Sequence, residues 1–320
     1  MIMNGMSEAR QVLVNLEINK DCQLTKICGD DCILNMIEGS LPDARQISSE
    51  MVIEVAQEVI DNGQNVRHLA ITGKEPLDTP EVLFDILRRY RKASEETRPG
   101  RVGVITSGLK LRQCMADLVK WPLDWCEVSL DTSASGLHIE KTQQRLLDDL
   151  MALRQAGGTA MTQVASVFTG ENMEALLELG RRVGEAGVDQ WVLGTKLESH
   201  NGVLSPSVPT DVIKRFVNRV VGDLVDVKSA ILYGLELDEW QILTGQRVAD
   251  RWRVEHWVND RVCLVAANFD EGYFVRLRWD GELINKQDFR RLGTEQGYFG
   301  TYVPGRLAEV LQTFAKVVKV

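Results

Sequence analysis

Apolar residues along the first two-thirds of the chain fall into two alternating rhythms. Short β-branched runs occur at "QVLVNLEI" (11–18), "VRHLAIT" (66–72), "RVGVITSG" (101–108), "WCEVSLD" (125–131), "AMTQVASVFT" (160–169) and "VDQWVLG" (188–194). Between them lie longer stretches whose apolar positions repeat every three to four residues, the helical period. "SSEMVIEVAQEVIDNG" carries a serine at its start and Asn62-Gly63 at its end, a helix with its own start and stop signals. Further helices are predicted over 80–93, 111–119 and 139–156, the last ended by Gly157-Gly158, and over "NMEALLELGRRVGEAG". Strands separated by helices of this length must run parallel and be joined by crossovers. Apolar residues on both faces of these strands mean that helices cover the sheet. The pattern suits a barrel or an open doubly wound sheet, and periodicity does not choose between them.

The rhythm changes near residue 200. "SHNGVLSPSVPT" is polar and carries two prolines, marking a loop or boundary. A helix over 209–222 follows, and the segment up to 258 has no clear period. "RVCLVAANFDEGYFVRLRWDGELI" alternates β-type runs with turns at Asp270–Gly272 and Asp280-Gly281, which predicts antiparallel hairpins. A last helix is expected over 305–318. The chain therefore divides into a core over 1–200 and an extension over 201–320, with no internal repeat.

Composition narrows the function classes. With 320 residues and 44% hydrophobic content, the chain can build a large core without disulfide staples. Six cysteines in this length are far from the density of a secreted disulfide scaffold. No signal-peptide pattern opens the sequence, and no apolar stretch approaches the ~20 residues needed to cross a bilayer. A cytoplasmic protein with reduced thiols and no membrane contact is the expectation. The net charge of −9 argues against nucleic acid as the main partner. The densest basic run, Arg88 to Lys92, closes a helix, where cations suit the dipole.

Candidate chemistry is concentrated directly after the first strand. "DCQLTKICGDDC" (21–32) places Cys22, Cys28 and Cys32 with five and three residues between them. A structural zinc site normally takes four ligands, and the nearest histidine, His68, sits mid-strand. A redox pair calls for Cys-x-x-Cys, which is absent. Three thiolates leave one corner of an iron–sulfur cluster open to a ligand. Zinc, a cluster, or three unrelated loop thiols all remain open on spacing alone. Cys114, Cys126 and Cys263 fall in a helix, a strand and the C-terminal β region, and core packing suits each.

Four motifs in order give the cysteines a context. "ITGKEPL" (71–77), "ITSG" (105–108), "VSLD" (128–131) and "WVLG" (191–194) each fall at the C-terminal end of a successive strand, where βα-loops build a barrel's site. With the cysteines they resemble the radical S-adenosylmethionine (radical SAM) enzymes over residues 11–200. The resemblance implies a six-stranded partial (β/α) barrel of parallel strands, with a C-terminal α/β extension closing the barrel and contributing to the substrate site. It implies that Cys22, Cys28 and Cys32 ligate a four-iron, four-sulfur (4Fe–4S) cluster, in a C-x5-C-x3-C variant of the usual three-then-two spacing. Asp31 stands where an aromatic often precedes the last cysteine. Gly73, Lys74, Glu75 and Pro76 correspond to the Gly-Gly-Glu-Pro segment that binds the methionine amino group, with Lys74 in place of the second glycine. Ser107 replaces the asparagine of the third-strand element. Ser129 and Asp131 match the fourth-strand residues facing ribose or substrate. Gln163, or Ser166 beside it, and Leu193 complete the candidate cofactor contacts.

The implied reaction is one-electron cleavage of S-adenosylmethionine to methionine and a 5′-deoxyadenosyl radical, which takes hydrogen from a substrate. The cofactor carries the reactivity, while the protein orients and shields it. An external one-electron donor such as flavodoxin or ferredoxin is implied, and a small-molecule substrate is favoured over a peptide. The reaction after hydrogen abstraction is not legible. Two other readings stand beside this one: a degenerate relative serving as a non-catalytic binding or regulatory subunit, and a zinc-binding scaffold.

Overall fold

The computed structural model describes residues 12–20, 47–132, 140–195, 197–200, 203–206, 208–235, 237–246, 253–267, 274–277, 282–285 and 298–317. The cysteine segment lies outside these residues. Strands β1 (Val12–Glu17), β2 (Val66–Thr72), β3 (Arg101–Thr106), β4 (Trp125–Ser129), β5 (Thr162–Phe168) and β6 (Gln190–Thr195) alternate with helices α1 (Ser49–Asp61), α2 (Pro80–Lys92), α3 (Leu111–Lys120), α4 (Glu140–Gln155) and α5 (Met173–Ala186). All six strands pair in sequence order and in parallel. The alternation read from the sequence is therefore realised as right-adjacent βα units of a partial barrel.

Local signals set the helices. The Ser48 side chain accepts the Met51 N–H at 3.2 Å and opens α1, which buries Val52, Val55, Ala56, Val59 and Ile60. On the strands, residues facing the helices form the core: Val102 and Val104, Cys126 and Val128, Val164 and Phe168, Trp191 and Leu193 are all buried in one cluster. The intervening residues, among them Trp125, Glu127, Ser129, Gln163, Val192 and Gly194, occupy the opposite, inner face, because successive strand side chains alternate. Cys114, Cys126 and Cys263 are buried and free, and burial pushes the Cys126 thiol up to about 12.

The parallel wall extends beyond six strands. After a small hairpin, β7 (Leu197–His200) with β8 (Val203–Pro206), and helix α6 (Thr210–Asp223), strand β9 (Ala230–Leu235) pairs parallel to β6. Helix α7 (Leu237–Thr244) and strands β10 (Arg253–Trp257) and β11 (Val262–Ala267) follow, β11 parallel to β9 and β10 antiparallel on its outer side. The unreadable segment before residue 258 thus holds two strands of the main sheet, β9 and β10.

The hairpin predicted across 262–277 is not formed. Strand β12 (Phe274–Leu277) lies on the opposite edge of the sheet, parallel to β1, with β13 (Glu282–Asn285) and β14 (Tyr298–Thr301) antiparallel beyond it. Turn chemistry predicted a tight return, but the open edge of β1 captures the strand instead. Only the second hairpin, β12 with β13, is as read. Seven Cα steps join Ala267 to Phe274, which limits their separation to about 25 Å. The two margins of the parallel wall are therefore curled towards one another.

The C-terminal helix α8 (Arg306–Val317) packs on α1 and β1. The Glu58 carboxylate of α1 accepts from Tyr302 Oη at 2.8 Å, Gly305 N at 3.1 Å and Ala308 N at 2.6 Å, so one side chain caps the helix from across the fold. No helix among the described residues is long and apolar enough to cross a membrane.

Candidate functional site

The ends of β1, β2 and β3 are drawn together at one buried glutamate. Glu75, 3% exposed, follows β2 and precedes a single turn of 3₁₀ helix at Pro76–Asp78. Its Oε1 accepts from Leu77 N at 3.1 Å and Thr106 Oγ1 at 2.6 Å. Its Oε2 accepts from Ser107 N at 2.8 Å and from the Ser107 hydroxyl. A carboxylate offers about four lone-pair positions, and here four donors occupy them. Glu75 therefore fastens the loop after β2 to the loop after β3.

Asn19 ties the same turn to the first strand. Its Nδ2 donates to Glu75 O at 2.6 Å, its Oδ1 accepts from Glu75 N at 3.3 Å, and its backbone oxygen accepts from Lys74 N at 3.4 Å. Gly73 makes this approach possible. It adopts φ +130°, and a Cβ there would stand 2.6 Å from Asn19 Oδ1. Asn19 lies three positions ahead of Cys22. The proximal turn is thus fixed to the point where the cysteine segment leaves the barrel.

The ends of β4 and β5 form the facing rim. Asp131 Oδ1 accepts from Val167 N at 2.8 Å, and its backbone oxygen accepts from Gln143 Nε2 at 3.1 Å. Asn172 Nδ2 bridges Val167 O at 2.8 Å and Thr132 Oγ1 at 3.0 Å. Ser129 sits half-buried on the inner face, and its hydroxyl makes no hydrogen bond among the described residues. Below the rim, Glu127, Gln163 and Gln190 stand side by side in register, and Gln163 Nε2 donates to Gln190 Oε1. Trp125 closes the floor. Its ring lies over Gly103, where a Cβ would come within 2.0 Å of it.

Family membership follows from the span of the cysteine and strand motifs. The sequence model of the Radical SAM superfamily matches residues 22–183, half of the chain. The chain belongs to the radical SAM superfamily. Solved structures agree on the fold. SuiB of Streptococcus suis bound to S-adenosylmethionine is 16% identical with a TM-score of 0.63, covering 96% of this chain and 66% of SuiB. SuiB bound to its precursor peptide SuiA gives 0.59 at 16% identity, covering 96% and 64%. The protein anSMEcpe with AdoMet and the Cp18Cys peptide gives 0.58 at 13% identity, covering 96% and 82%. This radical SAM chain therefore spans slightly less than two-thirds of SuiB. A search of curated protein sequences finds no match.

Within this radical SAM fold, the described residues expected at the cofactor are divided. Gly73, Lys74, Glu75, Pro76 and Ser107 form one hydrogen-bonded turn, and Ser129 and Asp131 lie on the facing rim. Gln163 faces the lumen lower down. Leu193 does not present its side chain there: it is 2% exposed within the core, and only its backbone borders the lumen. Ser166 is likewise turned outward, donating to Leu130 O at 2.6 Å and accepting from Trp191 Nε1 at 3.1 Å. Cys22, Cys28 and Cys32 lie outside the described residues.

Sequence reading missed Asn19, Glu127, Gln190, Gly194 and Tyr233. Tyr233 on β9 pairs with Gly194 on β6, and a Cβ at position 194 would meet its hydroxyl at 3.0 Å. The residue as a whole is 43% exposed, while its hydroxyl end lies against Gly194 and has no hydrogen-bond partner among the described residues. Burial, then Glu127 and Asp131, push its pKa above the ordinary tyrosine value. Glu127 was legible in principle, since Trp125, Glu127, Ser129 and Asp131 share one face of an otherwise apolar strand.

Proposed function

We propose that this protein reductively cleaves S-adenosylmethionine at a 4Fe–4S cluster and abstracts hydrogen from a substrate held in the barrel lumen. The observation that carries the reading is the Gly73–Glu75 turn, locked against Asn19 just ahead of Cys22. The residues present fit the cofactor: a turn at the barrel mouth held in one geometry by Asn19 and Glu75, and on the facing rim a Ser129 hydroxyl that makes no hydrogen bond among the described residues. When bound, cluster and S-adenosylmethionine supply carbon–sulfur cleavage and hydrogen-atom abstraction.

The chain's own residues bind and orient. Cys22, Cys28 and Cys32 hold the cluster. Gly73 and Lys74 offer backbone groups to the methionine end, and Glu75 acts as a positioning residue, its lone pairs being committed to Leu77, Thr106 and Ser107. Ser129 and Asp131 take the ribose, and Gln163 lies on the substrate side. The C-terminal strands close the barrel's margins, and flavodoxin or ferredoxin supplies the electron. The substrate is a small molecule. A peptide side chain is the second reading, favoured by the peptides bound to SuiB and anSMEcpe.

The test is anaerobic. The chain is reconstituted with iron and sulfide and given S-adenosylmethionine and reductant, and 5′-deoxyadenosine is quantified beside a Cys28→Ala variant. Deoxyadenosine from the native sequence alone is expected. A fully loaded cluster that never cleaves S-adenosylmethionine would favour a binding or regulatory subunit, and zinc without sulfide would favour a scaffold.

A further inference from the structure

The inner wall of β4, β5, β6 and β9 changes character towards the barrel mouth. Register places Glu127, Gln163 and Gln190 in one layer, Ser129, Ala165, Val192 and Ile231 in the next, and Val167, Gly194 and Tyr233 above them. Asp131 stands level with Val167, whose N–H it accepts at 2.8 Å. On β5, β6 and β9 the upper two layers carry no charged residue. Ala165, Val192 and Ile231 are half-buried, and Val167 is 39% and Tyr233 43% exposed, whereas Leu193 and Leu232 between them are buried. Apolar side chains left accessible side by side on a concave wall are the usual lining of a small-molecule site.

Gly194 gives this surface its shape. A Cβ at position 194 would stand 3.0 Å from the Tyr233 hydroxyl, 3.1 Å from Cζ and 3.5 Å from Cε1. The phenol therefore folds from β9 across the inner face of β6 and rests against the glycine backbone, a place that a side chain at 194 would deny it. The hydroxyl makes no hydrogen bond among the described residues. A ring seated on backbone in this way is held from one side by its own layer of the wall, and its exposure needs no partner from the layers below.

We propose that Tyr233, seated on Gly194, turns the free side of its ring to the lumen as a stacking platform for a flat, uncharged ring. A planar π system gains contact over its whole face there, together with the offset-stacking attraction between rings. Val167, Val192 and Ile231 border the platform, and the unbonded hydroxyl offers a donor to a ring nitrogen or carbonyl. Two sources carry this chemistry. One is the base of a nucleoside whose sugar is held at Ser129 and Asp131, because Asp131 and Gly194 are two strand spacings apart, about 10 Å. The other is a ring of the substrate. The inference rests on the reading of the lumen as the site of S-adenosylmethionine and substrate.

The test uses the full, reconstituted protein and two pairs of probes, with binding read by calorimetry. The first pair is 5′-deoxyadenosine against 5-deoxy-D-ribose. The second, with S-adenosylmethionine present, is L-phenylalanine against L-cyclohexylalanine. In the native protein the flat-ring member should bind about fivefold or more tighter in at least one pair, the first pair marking the cofactor base and the second a substrate ring. Tyr233→Leu should weaken that preferred probe about fivefold, and Tyr233→Phe, which keeps the ring, by less than about twofold. Absence of a flat-ring preference in both pairs would overturn the proposal from the native protein alone. So would a folded Tyr233→Leu protein that binds as the native does, or a Tyr233→Phe protein that loses as much as Tyr233→Leu. Deoxyadenosine formed from S-adenosylmethionine is measured in the same samples. Cleavage without a flat-ring preference sinks the platform alone, and a preference without cleavage sinks the enzymatic reading and leaves the platform standing.

Discussion

The two halves of the barrel mouth are built on opposite terms. Around β1–β3, polar groups are consumed internally: Glu75 has four donors on its two oxygens, and Asn19 clasps the same turn from the other side. Around β4–β9, some polar groups on the inner face are sparsely bonded among the described residues. Ser129 and Tyr233 make no hydrogen bond among the described residues, and Gln163 and Gln190 bond chiefly to each other. A saturated network fixes one geometry, while a sparsely bonded wall leaves its donors and acceptors for a ligand. The first half suits a cofactor that must be held identically in every turnover. The second suits a substrate that enters and leaves.

Breaking the saturated half should have the largest effect. Glu75→Ala strands the Leu77 and Ser107 N–H groups and the Thr106 hydroxyl in a buried turn, with an expected cost of about 3–5 kcal/mol. Urea unfolding should show it, with S-adenosylmethionine binding lost as well. A loss below 1 kcal/mol would mean that the network does not hold the turn. Gly73→Ala comes next. The new Cβ meets Asn19 at 2.6 Å in a backbone at φ +130°, for about 1–3 kcal/mol, read by thermal melting and by deoxyadenosine yield.

Changes in the open half should be gentle on stability and sharp on ligand. Gly194→Ala brings a methyl to 3.0 Å from the Tyr233 hydroxyl, displacing a partly exposed ring. Stability should move by less than about 1 kcal/mol, while binding of lumen ligands falls. A cooperative collapse of the fold would show that this wall is as rigid as the other. The smallest effect is expected from Tyr233→Phe, followed by ultraviolet titration. The native phenol has a raised pKa, so it stays neutral through the ordinary tyrosine range and ionises only above it. Because the folded value is the higher one, its contribution to stability is complete below about pH 10 and is lost as pH rises beyond it. The variant should lack one late-ionising phenol and lose less stability in that alkaline window.

The saturated half was also the more legible one. Gly73, Glu75 and Ser107 stand out in sequence because a turn at a strand's end needs glycine, proline and cap residues at fixed offsets. The open half is made of single residues spaced two apart on strands that otherwise read as apolar core, so Glu127 and Gln190 are hidden in "WCEVSLD" and "VDQWVLG". Tyr233 lies in the segment without a clear period, and it faces Gly194 only through pairing between β6 and β9. The misplaced hairpin has the same cause. The turn expected at 270–272 lies outside the described residues, and the choice between β11 and β1 as the partner of β12 is made by tertiary edge pairing, which periodicity does not carry.

The pairing of β12 with β1, together with the Glu58 cap on α8, gives the barrel a strict order of assembly. Both contacts close very long loops, 244 to 250 residues in the case of Glu58, and such contacts form late because all the intervening chain must be present to make them. A ribosome that has finished the six βα units has therefore produced a sheet whose first strand still has one bare edge. That strand is the one leading into the cysteines, so the place where a cluster would be inserted acquires its second neighbour only when Phe274–Leu277 has emerged.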